Sequence, residues 1–216
     1  MKLYDNPLSP FTSRCRIQIY AKGLDVERVA PPGGASSAEY RALNPLGRIP
    51  ALEVNGTVIP ESQTICELLE DLHPQPALLP ADPIARARVR LLCRFTDLYL
   101  FPIESALSNQ FDPKTRDAAV VTQKLTELQA NLELLESLLD KDDSFAVGSA
   151  LTLADCALFP LFFFMTRLIP VLGGKNPLDG RPRLAAWWET VGKHPAVSRV
   201  NGEMEAALVE YLAQRR

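Results

Sequence analysis

Three hydroxyl side chains lie close together near the N-terminus of the chain, at Ser9, Thr12 and Ser13. A hydroxyl can donate a hydrogen bond to a bound thiolate, and this bond lowers the pKa of the thiol because it favours the anion. A free thiol has a pKa of about 8.5, and lowering it by about two units takes roughly 2.7 kcal/mol. One good hydrogen bond and a helix N-terminus can supply that free energy. The cluster can therefore activate a bound thiol, although each hydroxyl could instead fix a turn or cap a helix.

The elements around these hydroxyls predict a small α/β domain. Its pattern is β-α-β-α-β-β-α, beginning with a strand at Lys2–Tyr4 and continuing with a helix that Thr12 or Ser13 is expected to cap. The crossover helices imply parallel strand pairs, and Asn55-Gly56 predicts a hairpin that adds an antiparallel edge. This order resembles a thioredoxin-like fold, in which the loop before the first helix carries the active residues. Ser9 lies in that loop.

Cysteine usage narrows the chemistry of this loop. Redox proteins of the thioredoxin-like fold need a cysteine first, and the matching pair here is Ser9 and Thr12. A hydroxyl cannot form a mixed disulfide, so dithiol exchange is excluded. Cys15 falls inside the predicted helix and is expected to pack there; if it faced the site, thiol transfer would become an alternative. All four cysteines are widely spaced and are predicted to be free, buried thiols.

A second candidate ligand site lies in the segment 44–62. Ile49-Pro50 precedes a predicted strand, and as a cis peptide it would turn the Ile49 backbone outward as an edge for an extended peptide. The alternative is a trans proline at a strand end. Ser62 is predicted to be the N-cap of the next helix, where a hydroxyl and free N–H groups favour a carboxylate. The alternative is an ordinary cap without a ligand.

Several motifs together resemble one family. The run N-P-L-G-R-I-P, followed by E-S and an amphipathic helix, is similar to the glutathione-binding half of the glutathione transferases. The run S-P-F-x-x-R-x-R at residues 9–16 resembles serine-type members of the tau and zeta kinds. The runs G-x-x-x-T-x-A-D at residues 148–155 and P-R-L-A-A-W-W at residues 182–188 extend the resemblance over essentially the whole chain. The chain is identified as a bacterial-like, serine-type member of the cytosolic family.

The resemblance implies a role for each residue of the candidate site. Ser9 would activate the thiol of glutathione, with Thr12 and Ser13 as the alternatives. Ile49, beside Pro50, would pair through its backbone with the cysteinyl unit. The site residues that the resemblance implies are Ser9, Arg48, Ile49, Pro50, Glu61 and Ser62.

The charged ends of the tripeptide would meet the remaining residues of this set. Glu61 would bind the ammonium of the γ-glutamyl end, and Ser62 would bind its carboxylate. Arg48 replaces a lysine that is common in tau-type members, and it could pair the glycyl carboxylate through both guanidinium nitrogens. The alternative for Arg48 is a solvated charge.

The domain organisation follows from the change in pattern along the chain. Residues 1–76 are predicted to form the thioredoxin-like domain, residues 77–84 a proline-rich linker, and residues 85–216 an all-helical domain that holds an electrophile. The fold class is thus α/β plus all-α. The apolar run 157–172 contains Arg167 and two prolines, so it is expected to be a buried helix rather than a membrane span.

Composition excludes some partners. The chain has 216 residues, a net charge of −3 and no basic cluster, so nucleic acid is not expected as a partner. The N-terminus has no apolar leader, which favours a cytoplasmic protein. The two histidines lie apart in His73-Pro74 and His194-Pro195, and no metal is expected.

The expected function is that of a glutathione transferase. Glutathione is the expected cosubstrate, a small hydrophobic electrophile the expected second substrate, and the family implies a homodimer. One alternative is a glutathione-dependent cis–trans isomerase of the maleylacetoacetate type, although the S-S-C motif of that class is replaced here by Ser9-Pro10-Phe11. The other alternative is a binding module without catalysis.

Overall fold

The computed structural model describes residues 1–140 and 142–214, which divide into two compact units. The first unit contains Met1–Leu78 together with the chain from His194 onward, and the second contains Leu79–Lys193. The sequence prediction assigned the last helix to the helical domain 85–216. Its packing assigns it to the first unit instead, because a buried arginine of the first helix pairs with a glutamate on it.

The secondary-structure elements follow the predicted order. The first unit holds four strands and four helices, and the second holds the remaining helices. In chain order they are β1 (Lys2–Tyr4), α1 (Pro10–Ala21), β2 (Glu27–Val29), α2 (Ala38–Leu43), β3 (Ala51–Val54), β4 (Thr57–Pro60), α3 (Ser62–Leu72), α4 (Pro83–Phe95), a π-helical segment (Thr96–Leu100), α5 (Phe101–Ser108), α6 (Ala118–Leu138), α7 (Leu153–Val171), α8 (Pro182–Gly192) and α9 (Pro195–Ala213).

The four strands form one mixed sheet in the order β2-β1-β3-β4. The predicted hairpin is confirmed: β3 and β4 are antiparallel, and Asn55 and Gly56 both have positive φ angles, 50° and 80°. The pair β1–β2 is parallel, as the crossover helix predicts. The pair β1–β3 is antiparallel, so the connection through the six-residue helix α2 does not give the second parallel pair that the sequence predicted.

Helices α1 and α3 are joined by buried polar contacts. The Gln18 side-chain amide donates to the Cys66 carbonyl at 2.9 Å and to the Glu70 carboxylate at 2.8 Å. Lys22 pairs with Glu70 at 2.9 Å, and the Lys22 side chain is fully buried. Buried charges need partners of this kind, since removing one partner leaves the other uncompensated. The two helices that carry the candidate hydroxyls are thereby fixed relative to each other.

The described residues of the second unit form helices and connecting loops, with no strand among them. The sequence predicted one long helix over residues 84–109, bent near Pro102. The structure divides it into α4, the π-helical segment and α5, so the irregular turn precedes Pro102. Helix α7 is long and apolar enough to cross a membrane by length and composition, but most of its residues are buried inside the unit. The expectation of a buried helix is confirmed.

The N-terminus of α7 is organised by one buried carboxylate. Asp155 accepts hydrogen bonds from the Thr152 N–H at 2.7 Å and the Thr152 hydroxyl at 2.8 Å, and the two residues form a capping box. It also accepts from the Ala146 N–H and from the Trp187 indole N–H, both at 2.8 Å. Burial raises the pKa of Asp155, while these four donors favour its anion. One carboxylate thus ties together the loop before α7, the first turn of α7, and α8.

Candidate functional site

Three segments leave the sheet at the same end. Tyr4, the last residue of β1, lies opposite Ala51, the first residue of β3. Ala51 in turn lies opposite Pro60, the last residue of β4. The loop after β1, the residues before β3 and the start of α3 are therefore neighbours at one sheet end. These are the three segments in which the sequence places its candidate residues.

Ser9 is the N-cap of α1, whereas the sequence predicted Thr12 or Ser13 in that role. The helix begins earlier than expected because Pro10 occupies its first position, where a missing N–H has no consequence. The Ser9 hydroxyl oxygen accepts the Thr12 backbone N–H at 3.3 Å. A hydroxyl has one proton to donate and two lone pairs. The Ser9 proton finds no acceptor among the described residues, so it is available to a ligand.

The two alternative hydroxyls are already engaged. Thr12 is completely buried, and its hydroxyl donates to the Asn6 carbonyl at 3.2 Å. Ser13 is also completely buried; its hydroxyl donates to the Ser9 carbonyl at 2.9 Å and accepts from Arg16 at 2.7 Å. Each of these protons is therefore committed to a backbone oxygen. Of the three hydroxyls, Ser9 alone combines partial exposure with an uncommitted proton.

Cys15 faces the protein interior. It has no exposed surface, and its thiol lies 3.7 Å from the Ser62 carbonyl. A hydrogen bond with Cys15, together with burial, raises the pKa of the neighbouring Cys66 thiol well above its ordinary value. A thiol must ionise to attack, so the raised pKa makes Cys66 a poor nucleophile, while Cys15 has no exposed surface through which a substrate could reach it. The arrangement fits the expected packing role of Cys15 and gives no support to thiol transfer.

The residues before β3 present an unpaired backbone. The Ile49–Pro50 peptide bond is cis, one of the two alternatives left open by the sequence. The Ile49 side chain packs against the core formed by Tyr4, Tyr40 and Ala51. Among the described residues, no hydrogen bond reaches the N–H or the carbonyl of Ile49. Both groups can therefore pair with an extended peptide.

Two residues missed in the sequence hold this segment in place. The Tyr40 hydroxyl donates to the Arg48 carbonyl at 3.0 Å, and the Asn44 side-chain amide donates to the same oxygen at 2.7 Å. Asn44 also accepts the Leu46 N–H at 3.1 Å, which closes a turn. Asparagine at the head of N-P-L-G is a recognisable turn signal and could have indicated this role. The Arg48 side chain itself is exposed.

The start of α3 has a strained residue and an open helix end. Glu61 has φ of 71° and ψ of 112°, a conformation that side-chain-bearing residues rarely adopt. Glu61 occupies the N-cap without a side-chain capping bond, and Ser62 is the first helical residue, so the prediction of Ser62 as the cap is wrong by one position. Backbone strain of this kind clusters at ligand sites. It leaves the first N–H groups of an 11-residue helix uncapped by Glu61 and suited to a carboxylate.

Matches to two family models assign the chain to a protein family. Residues 3–77 match the model of the glutathione S-transferase N-terminal domain, and residues 91–195 match that of the glutathione S-transferase C-terminal domain. The chain belongs to the glutathione S-transferase family. The resemblance drawn from the sequence motifs and the predicted fold class are both confirmed.

Several relatives have names of glutathione-dependent isomerases, and others are named glutathione S-transferase. Maleylacetoacetate isomerase of Pseudomonas aeruginosa is 33% identical, over 91% of this chain and 93% of that protein. A holo structure of maleyl pyruvate isomerase, described as a bacterial glutathione S-transferase of the zeta class, is 31% identical. It has a TM-score of 0.78 and covers 93% of this chain and 96% of its own. Maleylacetoacetate isomerase of Methylobacterium extorquens, solved with malonate and glutathione, is 26% identical with a TM-score of 0.76, covering 94% and 97%.

The Tyr40 contact gives a testable prediction for this glutathione S-transferase. Burial raises the pKa of Tyr40, so its hydroxyl stays protonated and donates to Arg48. Tyr40→Phe is expected to lower the free energy of unfolding by about 1 kcal/mol, the typical net worth of one hydrogen bond. Because the Arg48 carbonyl then has one donor instead of two, glutathione Kd is expected to rise by about two- to five-fold. Calorimetric titration measures the Kd.

The matched control is Tyr99→Phe, which removes an exposed hydroxyl from the second unit. It is expected to change the free energy of unfolding by less than about 0.5 kcal/mol. A Tyr40→Phe protein with unchanged Kd would mean that Asn44 alone fixes the segment.

Proposed function

We propose that the chain is a glutathione-dependent enzyme in which Ser9 stabilises the glutathione thiolate. The observation that carries the proposal is the Ser9 hydroxyl, which accepts the Thr12 N–H at 3.3 Å and keeps its own proton for a ligand. The thiolate then attacks an electrophilic carbon of a small apolar substrate, forming a carbon–sulfur bond as the bond to the leaving group, such as chloride on an aryl halide, breaks. Lowering the thiol pKa and holding both reactants close supply the rate enhancement.

The tripeptide binds along the shared sheet end. The unpaired Ile49 N–H and carbonyl pair with the backbone of the cysteinyl unit, next to Pro50. The open N-terminus of α3 and the Ser62 hydroxyl bind the α-carboxylate of the γ-glutamyl unit, and Glu61 binds its ammonium. Arg48, exposed and close in sequence to Ile49, pairs with the glycyl carboxylate.

A second candidate function is the isomerisation of a maleyl-type substrate, and the named relatives favour it. In this reaction the thiolate adds to one carbon of a cis double bond and moves the π electrons onto the conjugated carbonyl. The remaining single bond rotates, the electrons return, and the carbon–sulfur bond breaks. The products are the trans isomer and unchanged glutathione. The departure from S-S-C at Ser9-Pro10-Phe11 weighs against this candidate.

Stoichiometry separates the two functions. The protein is incubated with glutathione and either chlorodinitrobenzene or maleylacetone, and both the product and the remaining glutathione are measured. A conjugating enzyme consumes one glutathione per product with the aryl halide. An isomerase yields the trans product from maleylacetone with no loss of glutathione. A chain that binds no glutathione in calorimetry would overturn both functions and favour a binding module.

Two wider features belong to the same proposal. A homodimer is expected from the family, and sedimentation at micromolar concentration would reveal it as a species of twice the 23.9 kDa chain mass. A cytoplasmic location also stays a prediction.

A further inference from the structure

Arg16 is a fully buried arginine that connects two distant parts of the first unit. Its side chain has no exposed surface, although it carries a charge. One terminal nitrogen, Nη1, donates to a carboxylate oxygen of Glu203 at 2.7 Å. Glu203 lies on α9, near the other end of the chain. The guanidinium therefore joins the first helix of the unit to its last.

The other terminal nitrogen of Arg16 reaches the loop that carries Ser9. Nη2 donates to the Pro7 carbonyl at 2.7 Å and to the Ser13 hydroxyl at 2.7 Å. The Ser13 hydroxyl donates in turn to the Ser9 carbonyl at 2.9 Å. Two of the backbone carbonyls in this loop are thus fixed, directly or through one hydroxyl, by a single guanidinium.

We propose that Arg16 and Glu203 are positioning residues for Ser9: the ion pair fixes the loop so that the Ser9 hydroxyl points at the sulfur of bound glutathione. This inference rests on the proposed role of Ser9. Neither residue touches the thiol. Their effect passes through the Pro7 carbonyl and through the Ser13 hydroxyl.

The charges around Arg16 show that the position of its guanidinium depends on Glu203. Asp5 is the other carboxylate near its guanidinium, and it lies 3.9 Å from Nε, too far for a hydrogen bond. Asp5 is also held by Arg28 at 2.7 Å. Glu203 is therefore the carboxylate that hydrogen-bonds Arg16 and compensates its buried charge. Without it, the guanidinium must move towards other acceptors or towards water, since a buried charge without a partner is strongly disfavoured.

Glu203 is itself held in an ionised, oriented state. The Tyr20 hydroxyl donates to it at 2.8 Å, and Arg28 donates to it at 2.9 Å. Arg199, one turn earlier on α9, lies 3.5 Å from the same carboxylate and covers the Tyr20 ring. Burial opposes the ionisation of Glu203, but the Tyr20 bond and the neighbouring arginines together hold its pKa below the usual value. The carboxylate that compensates Arg16 is thus charged throughout the neutral range.

The strength of a hydrogen bond falls steeply with small displacements. A less rigid loop before α1 should therefore weaken the bond from Ser9 to sulfur before it affects the segment before β3 or the start of α3. Ile49 and the start of α3 have no contact with Arg16 among the bonds of the described residues. Thiol activation and tripeptide binding are therefore expected to separate when the ion pair is weakened. A merely structural role would disturb both together.

The test uses a graded pair of variants of the full chain. Glu203→Gln keeps the side-chain shape and one acceptor oxygen but removes the negative charge. Glu203→Leu removes both the charge and the acceptor oxygens. Glu210→Gln is the control, because Glu210 is exposed on the same helix and accepts only from Gln214 among the described residues. Two quantities are measured: the pKa of bound glutathione, by thiolate absorbance, and the Kd of S-methylglutathione, which has no thiol to ionise.

The expected result is a separation of the two readouts. Glu203→Leu raises the pKa of the bound thiol from about 6.5 to about 7.5, and it therefore lowers kcat/KM about five-fold at pH 6.5. Glu203→Gln gives a smaller shift in the same direction, and Glu210→Gln gives none. The Kd of S-methylglutathione stays within about two-fold in all three variants.

Two outcomes would overturn the inference. An unchanged thiol pKa in a folded Glu203→Gln protein would show that the ion pair does not position Ser9. Parallel losses of thiol ionisation and S-methylglutathione binding would show a general structural role. Failure of the proposed function is distinguishable from both, because the unmodified chain would then neither bind glutathione nor lower the pKa of its thiol.

Discussion

Replacement of Ser9 by alanine is expected to raise the pKa of bound glutathione from about 6.5 to about 8.5, the value of a free thiol. At pH 6.5 the thiolate fraction then falls from about one half to about one hundredth, so kcat/KM falls about fifty-fold. The loss shrinks as pH rises and disappears above the pKa of the free thiol. There the more basic thiolate of the variant is also the stronger nucleophile. Thiolate absorbance and initial rates across pH 5–9 measure both effects.

Ser9→Thr is the matched variant, because threonine keeps both the hydroxyl and the ability to cap α1. It is expected to retain most of the pKa shift. Alanine also removes the cap and lowers the free energy of unfolding by about 1 kcal/mol, so thermal unfolding is measured in parallel. Thr12→Val tests the principal alternative hydroxyl. If Thr12→Val raised the thiol pKa as far as Ser9→Ala, activation would not depend on Ser9 alone.

Asp155→Ala is expected to have the largest effect on stability. It leaves four donors without an acceptor at the start of α7, among them the buried indole N–H of Trp187 and the N–H of Ala146. Buried donors without partners are costly, and a capping residue is lost as well, so the free energy of unfolding is expected to fall by about 3–5 kcal/mol. Urea denaturation measures this change through the midpoint and slope of the transition.

Asp179→Ala is the control for that prediction. Asp179 is exposed in the second unit, and its side chain has no bond among the described contacts. It is expected to shift the free energy of unfolding by less than about 0.5 kcal/mol. The loss of unfolding free energy in Asp155→Asn should lie between those of Asp155→Ala and Asp179→Ala. Its amide keeps one acceptor oxygen but presents N–H groups to the remaining donors. A loss below about 1 kcal/mol in Asp155→Ala would mean that water replaces the carboxylate.

The parts of the fold that the sequence predicted correctly rest on local rules. Asn55-Gly56 predicted a hairpin because both residues tolerate positive φ, and both have it. The spacing of Thr152 and Asp155 is also a local signal, because a capping box needs only two residues three positions apart in the chain. Such features need no knowledge of the tertiary structure.

The parts that the sequence did not predict depend on distant partners. Nothing near Arg16 in the sequence indicates that Glu203, 187 positions away, pairs with it. The assignment of α9 to the first unit was missed for the same reason. The sequence did not indicate that Tyr40 and Asn44 hydrogen-bond the Arg48 carbonyl. A turn asparagine and a core tyrosine look the same in a sequence whether or not they hold the segment before β3 in place.

Three residues near the start of α1 could each be its N-cap, and one neighbouring residue decides between them. Thr12, Ser13 and Ser9 are all acceptable caps. Pro10 decides between them, because proline is favoured in the first turn and disfavoured later. The correct cap was therefore available from the sequence, and recognising it would have favoured Ser9 over the two buried hydroxyls.

The split first unit has a consequence for synthesis on the ribosome. Its sheet and first three helices are complete once Leu78 has been made, but α9 follows only after all of Leu79–Lys193. At about 5–20 residues per second, the N-terminal segment waits several seconds for its last helix. During that interval the buried Arg16 charge has no Glu203 to pair with. We therefore expect the first unit to complete its own packing only when α9 has been made. A chain released from the ribosome before Glu203 should therefore be a preferred target of cellular proteases.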